Sequence, residues 1–330
     1  MSGKDGEYWE KRRIQLFAQV EKEEAKLARQ LARYYKAEAE KLSRDVASYY
    51  QRYGEKNVLE YRKMLVGLSE ADRNLLFAHM DEFARRYPQY RHLMPVRESI
   101  YKLDQMEALH ESMRLQQLEV GAHEIELIQP LLESDALRAA NLIAEQMGFG
   151  TNFYTVNANA VILTVGAKWA DGSDFADRIW ANKAKLTDYL HHEFAQGLAR
   201  GVNYDTLSRQ LGERFVDRSK YETMRVVRTE SSFVLNEAQA QVFEQIYGED
   251  AAYSLSTVTD GSACPICKDI EAETISNPVP YSEREVGINY PPIHPNCKCS
   301  TEFALDEEKW MAGIKSGMRE IIDAIDEGEW

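Results

Sequence analysis

From about Glu7 to Tyr53, apolar residues recur at Leu16, Val20, Leu27, Leu31, Tyr34, Tyr35, Ala39, Leu42, Val46, Tyr49, Tyr50 and Tyr53. That spacing follows the 3.6-residue period of an amphipathic helix. Neither Pro nor Gly interrupts the run, and Gly54 supplies the expected stop. At 1.5 Å per residue the helix reaches about 70 Å. A helix of that length either packs against other long helices or protrudes to engage a partner.

Ser69, with Asp72 three residues on, predicts the start of a second helix that ends before Pro88. Helical periodicity returns from about Val96 to Gly148, with breaks expected near Gly121 and Pro130. Residues 148–159 are turn-rich and aromatic and place the main boundary. The turn at Trp169–Asp174 ends in an N-cap, and a helix follows through Phe175, Ile179, Trp180, Leu186, Leu190 and Phe194 to a stop at Gly201. A shorter helix is expected at Tyr204–Phe215 and another at Lys220–Tyr247, ended by Gly248. The texture then changes. Tyr253–Thr259 alternates like a strand, and five of the nine prolines lie between Pro278 and Pro295. Glu307–Glu327 reads as a final acidic helix.

The expected fold is mainly α with a small α+β C-terminal module. Its parts are an elongated helical region at 1–150, a helical core domain at 151–250 and a loop-rich, metal-stabilised module at 251–330.

Composition narrows the class. Apolar residues are 44% and charged residues 28% of the 330, close to the globular average, which excludes wholesale disorder. No run approaches the roughly 20 apolar residues that span a bilayer, so no membrane contact is expected. The N-terminus has no apolar stretch of the secretory kind, so an intracellular protein is expected. The net charge of −14 is uneven, at +4 over residues 1–100 and −18 over the remainder. An acidic body argues against nucleic-acid binding over the whole surface, since that binding rests on phosphate neutralisation. The basic front keeps open a weak contact with DNA or an acidic partner.

All four cysteines fall between positions 264 and 299. Cys264-x2-Cys267 has the knuckle spacing, in which a tight turn lets two thiolates converge on one ion. His294-x2-Cys297 repeats that pitch, and Cys299 is a fifth candidate. Tetrahedral zinc takes four donors, so one of His294, Cys297 and Cys299 is expected to stand outside the coordination sphere. Thiolate and imidazole suit Zn2+, here in a structural role. A redox Cys-x2-Cys would start a helix within a βαβ pattern, which the chain does not show. Disulfides conflict with a cytosolic setting. A zinc deaminase pairs His-x-Glu with Pro-Cys-x2-Cys; His191-His192-Glu193 matches nominally, but Ala263 precedes Cys264. No Gly-x-Ser-x-Gly, phosphate-binding Gly-rich loop or His-Glu-x2-His is present, so no enzyme is expected. The polar run Arg228-Thr229-Glu230, with Asn236 two turns on, lies on the helix before the module. One of Arg228 and Glu230 is expected to reach the metal loop and satisfy its backbone.

These residues resemble a known family. Arg228-Thr229-Glu230, Asn236-x-Ala238, Asp260-x3-Cys264-x2-Cys267 and His294-Pro295-Asn296-Cys297-Lys298-Cys299 are similar to the phage head morphogenesis, or minor head, proteins related to the F protein of phage Mu. Trp169-x-Asp171-Gly172-x2-Phe175-x2-Arg178-Ile179-Trp180 and the opening Tyr8-Trp9-Glu10-x-Arg12 resemble members from phages of Gram-positive hosts. The chain departs from the pattern in having Tyr253 and Leu255 where a Trp is common, and Lys298 in place of Arg. The resemblance implies a non-enzymatic virion component inside the phage head or procapsid. Its implied partners are the portal protein, the major capsid or scaffolding protein and, weakly through the N-terminal region, phage DNA. Its implied roles are head assembly, DNA packaging or genome delivery. Two other readings are a zinc-dependent hydrolase or nuclease and a cytosolic zinc-stabilised adaptor.

Overall fold

The computed structural model describes residues 6–55, 58–148, 158–169, 171–248, 251–257 and 263–305. The helix expected at Glu307–Glu327 lies outside the described residues, as does all but the ends of the turn-rich stretch 148–159. The described residues form α1 (Gly6–Tyr53), α2 (Glu70–Arg86), α3 (Arg97–Ile100), α4 (Gln105–Gln146), α5 (Ala158–Val165), α6 (Phe175–Ala199), α7 (Tyr204–Tyr247), β1 (Ala251–Ser256), α8 (Pro265–Ser276), β2 (Val279–Pro280) and β3 (Ser300–Leu305). The fold is mainly α, with the sheet confined to the C-terminal part.

Two expected breaks are corrected. α4 runs on through Gly121 and Pro130. A Cβ on Gly121 would stand 2.5 Å from the Trp180 ring, so glycine there makes room for the indole of α6. Around Pro130, fully buried Ile128 and Leu132 hold the helix despite the lost N–H. α7 is likewise one helix where two were expected. Its buried positions Phe215, Ser219, Thr223 and Val227 continue at i+4 through the polar stretch that reads as a break.

The chain divides into two compact units. One comprises Met1–Val20, Leu132–Gly172 and Arg228–Trp330; the other comprises Glu21–Leu131 and Ser173–Val227. In the second unit the α1 stripe is buried at Leu27, Leu31, Tyr35, Leu42 and Val46, so this helix packs within the chain. Leu76, Met80 and Phe83 of α2 meet Ala108, Leu115, Leu118 and Ala122 of α4. At the centre Lys183 Nζ stands 2.5 Å from Glu124 Oε1. The Tyr35 O–H donates to the same oxygen at 2.7 Å.

In the first unit the sheet has order β2-β1-β3, with both pairings antiparallel. β1 alternates as its sequence predicts, burying Ala251, Tyr253 and Leu255. Tyr253 faces Phe303 in the β1–β3 register. The Phe303 ring stacks on Phe243 of α7 at 4.3 Å, so the sheet lies against the C-terminal half of that helix. Arg284 secures the following loop, donating to Glu237 at 2.8 Å and Glu244 at 2.6 Å on α7.

Candidate metal centre

The first knuckle forms where β1 gives way to α8. Cys264 is the N-cap of α8, and its sulfur accepts the Cys267 N–H at 3.4 Å. Pro265 at the first helical position suits that start, since its missing N–H needs no partner there. The helix is bound to β1 by Thr274 Oγ1, which accepts the Leu255 N–H at 2.8 Å. Glu271 adds a second tie by accepting the Thr257 N–H at 2.7 Å. Cys264-x2-Cys267 therefore does open a helix after a strand, but in an antiparallel sheet and not in a βαβ unit.

The second knuckle is a turn closed by the Cys297 N–H donating to the His294 carbonyl at 3.0 Å. Asn296 sits at φ 61°, in the left-handed region that asparagine tolerates better than most residues. His294 Nδ1 lies 3.0 Å from the Pro295 carbonyl, an acceptor only, so Nδ1 carries the proton. Nε2 faces the other knuckle, 3.3 Å from Cys264 Sγ and 3.4 Å from Cys267 Sγ. Cys267 Sγ stands 4.0 Å from Cys297 Sγ.

The donor atoms of Cys264, Cys267 and His294 lie within 4.8 Å of one another, as do those of Cys267, Cys297 and Cys299. All five predicted residues thus gather at one place, with Cys267 common to both groups. Tetrahedral zinc, with Zn–S about 2.3 Å and Zn–N about 2.0–2.1 Å, has S···N edges of about 3.5 Å and S···S edges of about 3.8 Å. The observed 3.3, 3.4 and 4.0 Å match such edges. The arrangement can hold a metal ion.

Electrostatics separate the thiols. Cys297 is brought down to about 5, first by a hydrogen bond from Cys299. Cys299 is correspondingly driven up, first as the donor to Cys297 and then by burial. Burial pushes Cys267 up to about 12, whereas the Cys267 backbone N–H lowers the Cys264 thiol. His294 is raised, above all by its bond to the Pro295 carbonyl.

Arg228 is exposed and Glu230 is buried, but it is Thr229, between them, whose hydroxyl accepts the Asn296 N–H at 2.9 Å. Asn236 also reaches the loop, donating to the Cys299 carbonyl at 3.2 Å and accepting the Thr301 N–H at 2.9 Å. Thr229, Ser232 and Asn236 carry a signal in the sequence: polar residues at i, i+3 and i+7, which share one helix face. His191 and Glu193 serve the second unit, His191 with its ring 4.7 Å from His110 and Glu193 paired with Arg214. Asp260 lies outside the described residues.

Searches among curated proteins and among solved structures return no match. The family model described as Phage Mu protein F like protein matches residues 188–302. That span holds Thr229, Asn236, both knuckles, β1, β2 and the first half of β3. Over residues 188–302, which hold the entire Cys/His cluster, the chain is similar to the phage Mu F-like protein family.

Proposed function

We propose that the protein is a non-catalytic minor component of the phage head, held in its C-terminal part by one structural zinc ion. It acts in head assembly, DNA packaging or genome delivery by contacting the portal or the inner surface of the shell. The observation that carries this reading is the family match over the segment that contains the Cys/His cluster.

In this reading Cys264, Cys267, His294 and Cys297 hold the ion: the Sγ···Nε2 separations of 3.3 and 3.4 Å and the Sγ···Sγ separation of 4.0 Å approach three of a tetrahedron's six edges, and Cys297 itself groups with Cys267 and Cys299. Cys299 stands beside them as a thiol. Zinc supplies no reaction here; it ties α8 to the loop before β3, a job that a loop-rich segment cannot do by apolar burial alone.

Elemental analysis of the reduced protein tests the metal. One zinc per chain is expected, lost in Cys264→Ser and kept in Cys299→Ser. Loss in both variants would move Cys299 into the coordination sphere, and no metal in the parent would remove the zinc assignment. Mass spectrometry of purified procapsids and virions tests the rest. Absence from both would overturn the head assignment.

A further inference from the structure

We propose that Thr229, Ser232 and Asn236 of α7 are positioning residues for the metal centre, setting the backbone of the second knuckle so that His294 and Cys297 converge on Cys264 and Cys267. The inference rests on the metal reading above and assigns a task to the polar run that precedes the module.

The three residues share one helix face, since i, i+3 and i+7 return to the same side. Each is buried, at 8%, 7% and 1% exposure. Buried hydroxyls and amides are costly unless hydrogen-bonded, and all three are bonded to the backbone of residues 296–301. The Asn296 N–H donates to Thr229 Oγ1 at 2.9 Å. Asn296 lies between the two proposed ligands of this knuckle and holds its left-handed φ of 61°. Beyond Cys297, Ser232 Oγ stands 3.5 Å from the Cys299 carbonyl. Asn236 Nδ2 donates to that carbonyl at 3.2 Å and to the Ser232 carbonyl at 2.7 Å, while Oδ1 accepts the Thr301 N–H at 2.9 Å.

Cys297 is therefore bracketed by two anchors to one helix. The amide of Asn236 has a single productive orientation. Turned over, its NH2 would face the Thr301 N–H and its oxygen the Cys299 carbonyl. An aspartate has the acceptor without the donor, so it would set a carboxylate against the Cys299 carbonyl oxygen. Groups of this kind orient metal ligands, and their loss typically weakens metal binding by about 10–100-fold.

The test is cobalt(II) titration of the full reduced chain, read by thiolate charge-transfer and d–d bands, with affinity taken from competition against a chelator. Thr229→Val keeps the volume and removes the acceptor, Thr229→Ser keeps the acceptor, and Asn236→Asp removes the donor. Thr229→Val and Asn236→Asp are expected to bind cobalt about 10–100-fold more weakly with shifted d–d bands, and Thr229→Ser to stay close to the parent. Far-UV circular dichroism is expected to show helix content retained. Parent-like affinity and spectra in Thr229→Val and Asn236→Asp, even with a lowered melting temperature, would overturn the positioning role and leave the metal site standing. A parent chain that takes up no cobalt would overturn both.

Discussion

Lys183 and Lys185 stand two residues apart on α6, and their fates differ completely. Lys185 is exposed, whereas Lys183 is 3% exposed and pairs at 2.5 Å with Glu124, which is fully buried. The cost of drying both charges is offset by their attraction and by the Tyr35 hydroxyl on the same carboxylate oxygen. Removing one partner leaves the other charge buried alone. Lys183→Met is therefore expected to cost about 3–5 kcal/mol, and adding Glu124→Leu to recover much of it. Urea denaturation of the two single variants and the double checks this; strictly additive losses would show that the pair is not coupled. The stripe of Ile179, Leu186 and Leu190 puts Lys183 on the apolar face and Lys185 off it, but the sequence does not name the carboxylate that meets Lys183, because that depends on what the opposing helices present. The cysteines differ in this respect, since ligand spacing is local and survives translation into structure.

Among the elements, α2 begins as its sequence predicts. The Ser69 hydroxyl accepts the Asp72 N–H and the Asp72 carboxylate accepts the Ser69 N–H, a reciprocal capping box. Ser69→Ala is expected to cost about 1 kcal/mol, read from the urea midpoint. Burial raises the Asp72 pKa, but hydrogen bonds from Ser69 and Gln105 and the Arg52 guanidinium outweigh it and hold the carboxyl below its ordinary value. The folded state thus binds this proton less readily than the unfolded chain. Its stabilisation is fully present above the unfolded pKa of about 3.9 and fades as pH falls through the folded value. The stability gap between the parent and Asp72→Asn is expected to narrow from pH 7 to pH 3. A gap that stayed constant would disprove the linkage. α4 and α7 show the opposite case, where Gly121, Pro130 and the polar stretch near Asp217 mark breaks that do not occur. Propensity penalties of about 1 kcal/mol for Gly, and more for Pro, yield to the burial of flanking side chains.

At the scale of the molecule, the net charge of −14 falls on the first unit, while the second is neutral overall. No helix among the described residues is long and apolar enough to cross a membrane. An acidic unit is expected to resist adhesion to DNA, whose phosphates it repels. The purified protein is expected to bind duplex DNA without saturation at low salt. Tight binding through residues 101–330 with a steep salt slope would contradict that. In the proposed reading, removal of the metal is expected to act on the first unit alone. Beyond the α7 anchors, residues 251–305 rely on a small sheet and the Cys/His cluster, so chelation or Cys264→Ser is expected to expose them to protease while the helices of the second unit persist. Protease mapping that found no new cleavage between 251 and 305 would count against a structural ion.

The sequence by itself determined the helical character of the chain, the α1 stripe, the capping box at Ser69, the strand that became β1 and the gathering of Cys264, Cys267, His294, Cys297 and Cys299. Periodicity, capping and the two knuckle spacings act within a few residues along the chain, and the meeting of the knuckles follows from the four donors that one tetrahedral ion requires. Only the tertiary structure decided that α4 and α7 run unbroken, that Lys183 lies buried against Glu124, and that Thr229 and Asn236, with Arg228 left exposed, clasp the second knuckle. Each of those outcomes depends on a partner 59 to 67 residues away or on side chains packed from another helix, as with Glu124 and Lys183 or Thr229 and Asn296. Information of that kind enters only when the helices meet.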